Sequence, residues 1–306
     1  MSDENILEIR NVTKSYGNHV AVDDLSFEAH RGEILAFLGP NGAGKTTTMR
    51  MILDILKPDR GQIAVFGAPL SEETKNRIGY MPEERGLYKN VQLGDLLTYL
   101  GALKGMSQQD AHRRASELLK QVELGEYEKS KVSALSKGMS QKVQFIATII
   151  HQPELIIVDE PFGGLDPVNT QVLQEMVVDL AHNGTTVVMS THQMWQAEEM
   201  ADRLLMIDHG RRVLYGGVEE VRSRFAEDAV LVEGTGDWAA LPGVRSVDVS
   251  DSGREYTLHL AEGTTIDDLM QAVAASPNHH VKRFELAVPD LNEIFLQVVG
   301  GNHNHA

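Results

Sequence analysis

Cysteine is absent from all 306 residues, so the chain has no disulfides and no thiolate-held zinc site, and a reducing, cytoplasmic setting is expected. No stretch approaches the ~18 consecutive apolar residues of a membrane-spanning helix. The first ten residues, MSDENILEIR, are acidic and lack the apolar core behind a basic region that a secretory signal requires. Positive charge is also scarce, with 28 Lys and Arg against 44 Asp and Glu and a net charge of −16. Such a surface repels phosphate backbones and anionic lipid, so no nucleic-acid partner is expected and any membrane partner has to be a protein.

The apolar residues that are present (42% hydrophobic) suffice for a core, and the length allows one large and one small domain. Residues 6–12 alternate as a strand, Gly17-Asn18 marks a turn, and 20–29 read as a second strand. Short apolar runs at 33–38, 155–158, 185–189 and 204–207 read as buried strands, and helical patterns lie between them. Strands alternating with helices predict a mainly parallel sheet. Residues 87–132, rich in Leu, Ala, Lys, Gln and Glu, predict a helical subdomain. The pattern changes near Phe225. We therefore expect a first domain over 1–223, a small α+β domain over 224–300 with helices at 265–275 and 290–299, and a disordered tail over 301–306.

Two motifs carry chemistry. GPNGAGKT at 39–46 follows an apolar strand and opens a helix, the arrangement of a phosphate-binding loop. Gly39, Gly42 and Gly44 let the backbone curl so that its N–H groups face phosphate oxygens. Lys45 adds a point charge, Thr46 offers a hydroxyl to Mg²⁺, and the helix start adds its dipole. Downstream, LIIVDE at 155–160 is a buried strand ending in two acids. Asp159 is placed to reach a Mg²⁺ held by Thr46. Strand alternation turns Glu160 the other way, where it could polarise a water.

With these motifs in order, the chain resembles the nucleotide-binding subunits of ABC transporters from about residue 4 to 222. Tyr16 sits where that family stacks an aromatic ring on adenine. GPNGAGKTT (39–47) is similar to its Walker A loop, LSKGMSQK (135–142) to its signature motif and LIIVDEP (155–161) to Walker B. GGLD (163–166) resembles the D-loop, and STH (190–192) the switch histidine. The resemblance implies a P-loop NTPase fold: a RecA-like core with an antiparallel β subdomain and a helical subdomain. It implies ATP and Mg²⁺ as cofactors, with nucleotide contacts from Tyr16, Gly39, Asn41, Gly42, Ala43, Gly44, Lys45, Thr46 and Thr47. Thr46, Glu83 and Asp159 would face the metal. Glu160 would be the general base, with Lys45 and His192 completing the catalytic set. The family works as a head-to-tail dimer. Ser136 and Gly138, before a helix starting near Ser140, would contact the γ-phosphate of the other copy, and Asp166 would report across the interface.

Two motifs depart from the family's pattern. Lys137 replaces the first signature glycine and Met139 a glutamine, and Glu83, in YMPEERGLY (80–88), replaces the Q-loop glutamine. PEERGLY, with an appended domain ending PDLNEIF (289–295), resembles the subfamily that serves bacterial exporters through a separate six-helix permease. A homodimer is expected, peripheral on the inner face of the cell membrane. A groove near residues 80–100 would receive the permease, with Leu87, Tyr88, Val91 and Leu93 as its apolar lining. The alternative is a soluble ABC ATPase acting on ribosomes or nucleic acid. Those relatives carry paired ATP domains or a long coiled-coil insertion, whereas here one ATP domain has only about ninety residues between Walker A and the signature. A regulator that binds ATP without turnover is disfavoured by Lys45, Asp159, Glu160 and His192 all being present. In the second domain, Asp267 and Asp268 read as helix-start acids. His279, His280, His303 and His305 are read as a solvated polar run.

Overall fold

The computed structural model describes residues 5–302 except 85, 227 and 251. It resolves into two compact units, Met1–Val218 and Glu219–Ala306. The first opens with β1 (Asn5–Tyr16), β2 (His19–His30), β3 (Ile34–Leu38), α1 (Lys45–Ile52) and β4 (Arg60–Val65). It continues through α2 (Glu72–Lys75), β5 (Ile78–Met81), α3 (Leu93–Leu103), α4 (Gln108–Gln121) and α5 (Lys137–Ile149). It closes with β6 (Leu155–Asp159), α6 (Pro167–His182), β7 (Thr186–Thr191), α7 (Met194–Met200), β8 (Arg203–Asp208) and β9 (Arg211–Gly217).

A six-stranded sheet in the order β5-β6-β7-β3-β8-β9 forms the centre, parallel except for β9. Its inner strands are buried on both faces, which explains why ILAFL and LIIVD are unbroken apolar runs rather than alternating ones. The alternation is still there, but it sorts residues between two cores. Ile156 and Val158 join a core with α3, α4, α5 and α6, while Leu155 and Ile157 join one with α1, β1 and β2. The second core includes an antiparallel three-stranded sheet, β2-β1-β4. Each fully buried Leu, Ile or Phe in these cores contributes about 1.5–3 kcal/mol relative to exposure.

Register places the chemistry. Leu38 pairs with Thr191 and Asp159 with Ser190, so the carboxyl ends of β3, β6 and β7 lie side by side. Ligands of open parallel sheets bind outside such strand ends. Helix starts are capped locally: Ser107 for α4, Ser136 for α5, and Asp166 with Pro167 for α6. The cap at Ser136 starts α5 at Lys137, three residues ahead of the expected start near Ser140, because the Ser136 hydroxyl accepts from the Met139 N–H at 3.2 Å.

The second unit follows α8 (Val218–Arg224). It holds β10 (Ala229–Thr235), β11 (Val244–Val249), β12 (Glu255–Leu260), α9 (Ile266–Ala275), β13 (His280–Leu286) and α10 (Leu291–Asn302). Its strands form an antiparallel sheet in the order β11-β12-β10-β13. Trp238, Leu241, Leu258, Leu260 and Leu269 make its core. Asp268 completes a capping box with Thr265 at the start of α9. His279 is engaged by Ser276 and by the Asp237 carbonyl. The tail does not begin at 301, since α10 runs through Asn302; His303 and His305 lie outside the described residues.

One half-buried group is expected to make the first unit acid-sensitive. His151, after α5, donates from Nε2 to the Ile78 carbonyl at 3.2 Å. Burial first, and the nearby Lys104 charge second, push its pKa down to about 4. Between about 4 and its ordinary 6.5 the unfolded chain binds the proton and the folded chain does not. His151 therefore contributes stability that is complete above pH ~6.5 and lost as pH falls toward 4, about 3 kcal/mol in all. Thermal unfolding followed from pH 7 to 4 should show this slope, and His151→Gln should flatten it.

Candidate active site

The loop after β3 curls through left-handed glycines: Gly39 at φ 149°, Gly42 at 82° and Gly44 at 106°. Two of them also have no room for a side chain. A Cβ on Gly39 would overlap the Ile207 carbonyl, and one on Gly44 the Ala21 carbonyl, whereas Gly42 faces open space. The loop wraps Lys45, which is 7% exposed and donates to the carbonyls of Gly39 at 2.6 Å and Pro40 at 3.2 Å. Burial holds its pKa below the usual lysine range, and the carboxylates of Glu160, Asp159 and Glu83 act against that. The Gly39 and Pro40 carbonyls anchor the ammonium within the loop.

Thr46, one residue on, donates its hydroxyl to Asp159 Oδ2 at 2.9 Å. The other carboxylate oxygen of Asp159 accepts from the Ser190 hydroxyl on β7. Glu160 corrects the expectation from strand alternation. It lies past the end of β6 with φ 50°, a left-handed backbone rare in non-glycine residues. That turn directs its carboxylate into the same cleft as Asp159, not to the opposite face. There Glu160 Oε1 meets His192 Nδ1 at 2.9 Å. A carboxylate can only accept, so Nδ1 carries the hydrogen and Nε2 is left for another partner.

These groups line one cleft of about 820 Å³. Of the expected residues, Tyr16, Asn41, Gly42, Gly44, Lys45, Thr46, Thr47, Glu83, Asp159, Glu160 and His192 face it. Tyr16 stands 48% exposed at the rim. Gly39 and Ala43 support the loop from behind, with Ala43 buried. Ser136, Gly138 and Asp166 are not among the lining residues of their own chain's cleft. Ser136 and Asp166 are helix caps here, and the Asn169 hydrogen bonds hold the Asp166 carboxyl below the usual range. Sequence reasoning did not name His19, Ala21, Pro40, Lys137, Gln141 and Gly163 as site residues. The signal for Lys137 and Gln141 was their place in the signature-like segment.

Helix α5 ties both flanks of the cleft together. Gln141 Nε2 donates to the Pro161 carbonyl at 2.9 Å, just after Glu160. Gln144 Nε2 donates to the carbonyls of Pro82 at 2.8 Å and Glu84 at 3.3 Å, on either side of Glu83. A second, mostly apolar groove of about 430 Å³ lies along the same helix, lined by Ile55, Tyr80, Leu87, Leu100, Leu103 and Ala147 among others. Of the four residues expected there, Leu87 lines it. Leu93 is fully buried in the core because α3 starts at it and turns it inward. Tyr88 and Val91 are exposed and outside the lining.

A glycine-rich phosphate loop, an anchored lysine, a carboxylate–hydroxyl pair and a carboxylate–imidazole pair in one cleft suit phosphoryl transfer to water. Comparison with known proteins agrees. Residues 22–163 match the family model described as ABC transporter, and residues 216–299 the model described as ATP-binding protein DrrA1-3-like, C-terminal domain. An uncharacterized ABC transporter ATP-binding protein, YhaQ of Bacillus subtilis (strain 168), is 38% identical over 301 residues, covering 96% of this chain and 99% of the relative. Nod factor export ATP-binding protein I of Burkholderia lata is 34% identical over 232 residues, covering 74% and 76%. A solved structure titled as the ATP binding subunit of an ABC transporter superposes with a TM-score of 0.67 at 33% identity, covering 72% of this chain and 93% of the other.

The glycines give a graded test. Gly39→Ala and Gly44→Ala should each lose nucleotide binding by calorimetry and fall in melting temperature, from a clash added to about 1–3 kcal/mol of backbone strain. Gly42→Ala, which meets nothing, should carry only the left-handed cost of about 1–2 kcal/mol and keep measurable binding.

Proposed function

This chain belongs to the family of ABC transporter ATP-binding subunits, which are ATPases, and from that premise we propose that it drives export through a permease encoded on a separate chain. Subunits of this family pair with membrane permeases, and no helix among the described residues is long and apolar enough to cross a membrane. The observation that carries the reading is the convergence of Lys45, the Thr46–Asp159 pair and the Glu160–His192 pair in one cleft. Export rests on the relative named for Nod factor export and on the appended C-terminal domain of the DrrA1-3-like type.

In the proposed reaction, Tyr16 stacks on the adenine and the loop N–H groups from Gly39 to Thr47 cradle the phosphates. Lys45 meets the outer phosphates as a point charge. Glu160 takes the proton of the attacking water as general base, and His192 holds Glu160 in line. Mg²⁺ fits the hard oxygen donors that converge here, the Thr46 hydroxyl and the carboxylates of Asp159 and Glu83. When bound, it neutralises charge on the phosphate oxygens. Two copies assemble head to tail. Ser136 and Gly138 of each then reach the other's γ-phosphate, and Asp166 signals across, which accounts for their lying outside their own cleft. The assembly sits against the inner face of the cell membrane through its permease, seated in the groove lined by Leu87, Leu100 and Leu103.

Glu160→Gln keeps size and removes the base. Turnover should fall by about 10²–10⁴-fold while ATP binding persists and a nucleotide-loaded dimer accumulates on gel filtration. Unchanged turnover would remove Glu160 from the base role. Leu87→Asp with Leu103→Asp should abolish co-purification of the permease from detergent-solubilised membranes while leaving ATP binding intact. Undiminished recovery would refute the groove as its seat.

A further inference from the structure

Charged groups of the nucleotide cleft are engaged, with two exceptions. Lys45 is held by carbonyls, Asp159 by Thr46 and Ser190, and Glu160 by His192. Glu83 and Lys137 line the same cleft, are exposed, and make no hydrogen bond or ion pair among the described residues. These are also the two positions where the cleft departs from the family's motifs, an acid in place of an amide and a base in place of a glycine. The departures have opposite sign, and each alone is a liability. A carboxylate in place of glutamine adds negative charge beside a polyphosphate that is already anionic. A lysine in place of glycine puts a long, flexible cation where the backbone should come close.

Geometry leaves the lysine room to act. Its Nζ lies over Gly164, 2.7 Å from where a Cβ would stand, so the path of the side chain depends on a glycine there. Gly164 is itself left-handed, at φ 73°. Glu83 is near enough to the loop for its charge to act on Lys45. Backbone on both sides of Glu83 is pinned to Gln144, so this carboxylate stands on a held segment.

We propose that Glu83 and Lys137 are partners: a charge pair that forms across the cleft as it closes on nucleotide and clasps the two walls over the terminal phosphate. The pair rests on the ATP-driven reading above and specifies how closure is held. Together the two residues restore the net charge that glutamine and glycine would have there, so neither burdens the bound phosphates. A carboxylate has enough lone pairs to face a metal with one oxygen and accept from an ammonium with the other. Closure removes water from the pair, which makes it stronger than an exposed surface pair. The ammonium could come from Lys137 of the same chain or of a second copy, and the two sources are separable by experiment.

The test is a double-mutant cycle on the ATPase rate of the full chain. Glu83→Gln and Lys137→Gly should each lower kcat about tenfold, whereas the double variant should return to within about threefold of the starting rate. Glu83→Lys with Lys137→Glu should likewise exceed either single reversal. Simple multiplication of the single effects would overturn the pairing. Proximity has an independent readout, because the chain contains no cysteine and Glu83→Cys with Lys137→Cys would supply its sole thiols. A short bis-thiol reagent added with ATP should link them. A link within one chain assigns the ammonium to the same copy, a link joining two chains assigns it to the second copy, and either supports the pair. Absence of any nucleotide-dependent link would overturn it. Lack of ATPase activity in the unaltered chain would sink the ATP-driven reading instead, and the cross-linking would still decide the pair.

Discussion

Asp159 is the point on which the site depends. One carboxylate oxygen takes the Thr46 hydroxyl from the start of α1 and the other takes the Ser190 hydroxyl from the end of β7. A single buried side chain, 1% exposed, thus fastens the phosphate loop to two neighbouring strand ends. Hydrogen bonds to a charged acceptor in a buried place are worth more than neutral ones and cost more to leave unmade. The parallel register of β3, β7 and β6 is what makes the clamp possible, since it sets Leu38, Thr191 and Asp159 at one edge of the sheet. Glu160 and His192, immediately beyond those ends, then meet without any long loop to order.

Most of this was legible in the sequence, for a physical reason. A strand buried on both faces must be apolar throughout, so ILAFL and LIIVD announced themselves. A backbone that must turn left-handed repeatedly needs glycine, so GPNGAGKT did too. What the sequence concealed was direction. Nothing in a one-dimensional pattern says that alternation stops at Asp159 and that Glu160 adopts a left-handed turn. The start of α5 was hidden because Ser136 caps it through its own hydroxyl, a role that any serine in a loop could advertise. Leu93 was misread because an apolar residue at a helix start can face the core or the groove. Lys137 lines the cleft because the chain folds the signature-like segment next to Gly164.

The second unit follows different rules. Its sheet is wholly antiparallel, its core is centred on Trp238, and its helix α9 begins with a full capping box. It contains no phosphate loop, and among the described residues no cluster of metal-ligating side chains. Local pattern was enough to predict an α+β unit because capping acids and strand alternation act over a few residues. It was not enough to predict strand order, which long-range pairing decides.

Helix α5 gives the first unit a mechanical property. Gln141 holds the residue after Glu160, Gln144 holds the residues flanking Glu83, and the outer face of the same helix borders the apolar groove. In an engine, such a part is a crankshaft. On the proposed reading, a push delivered along the groove would reach the segments carrying both carboxylates through one helix, so water activation and phosphate closure would share one stroke. Timing would then rest on how stiffly two amide side chains, Gln141 and Gln144, tie that helix to its neighbours.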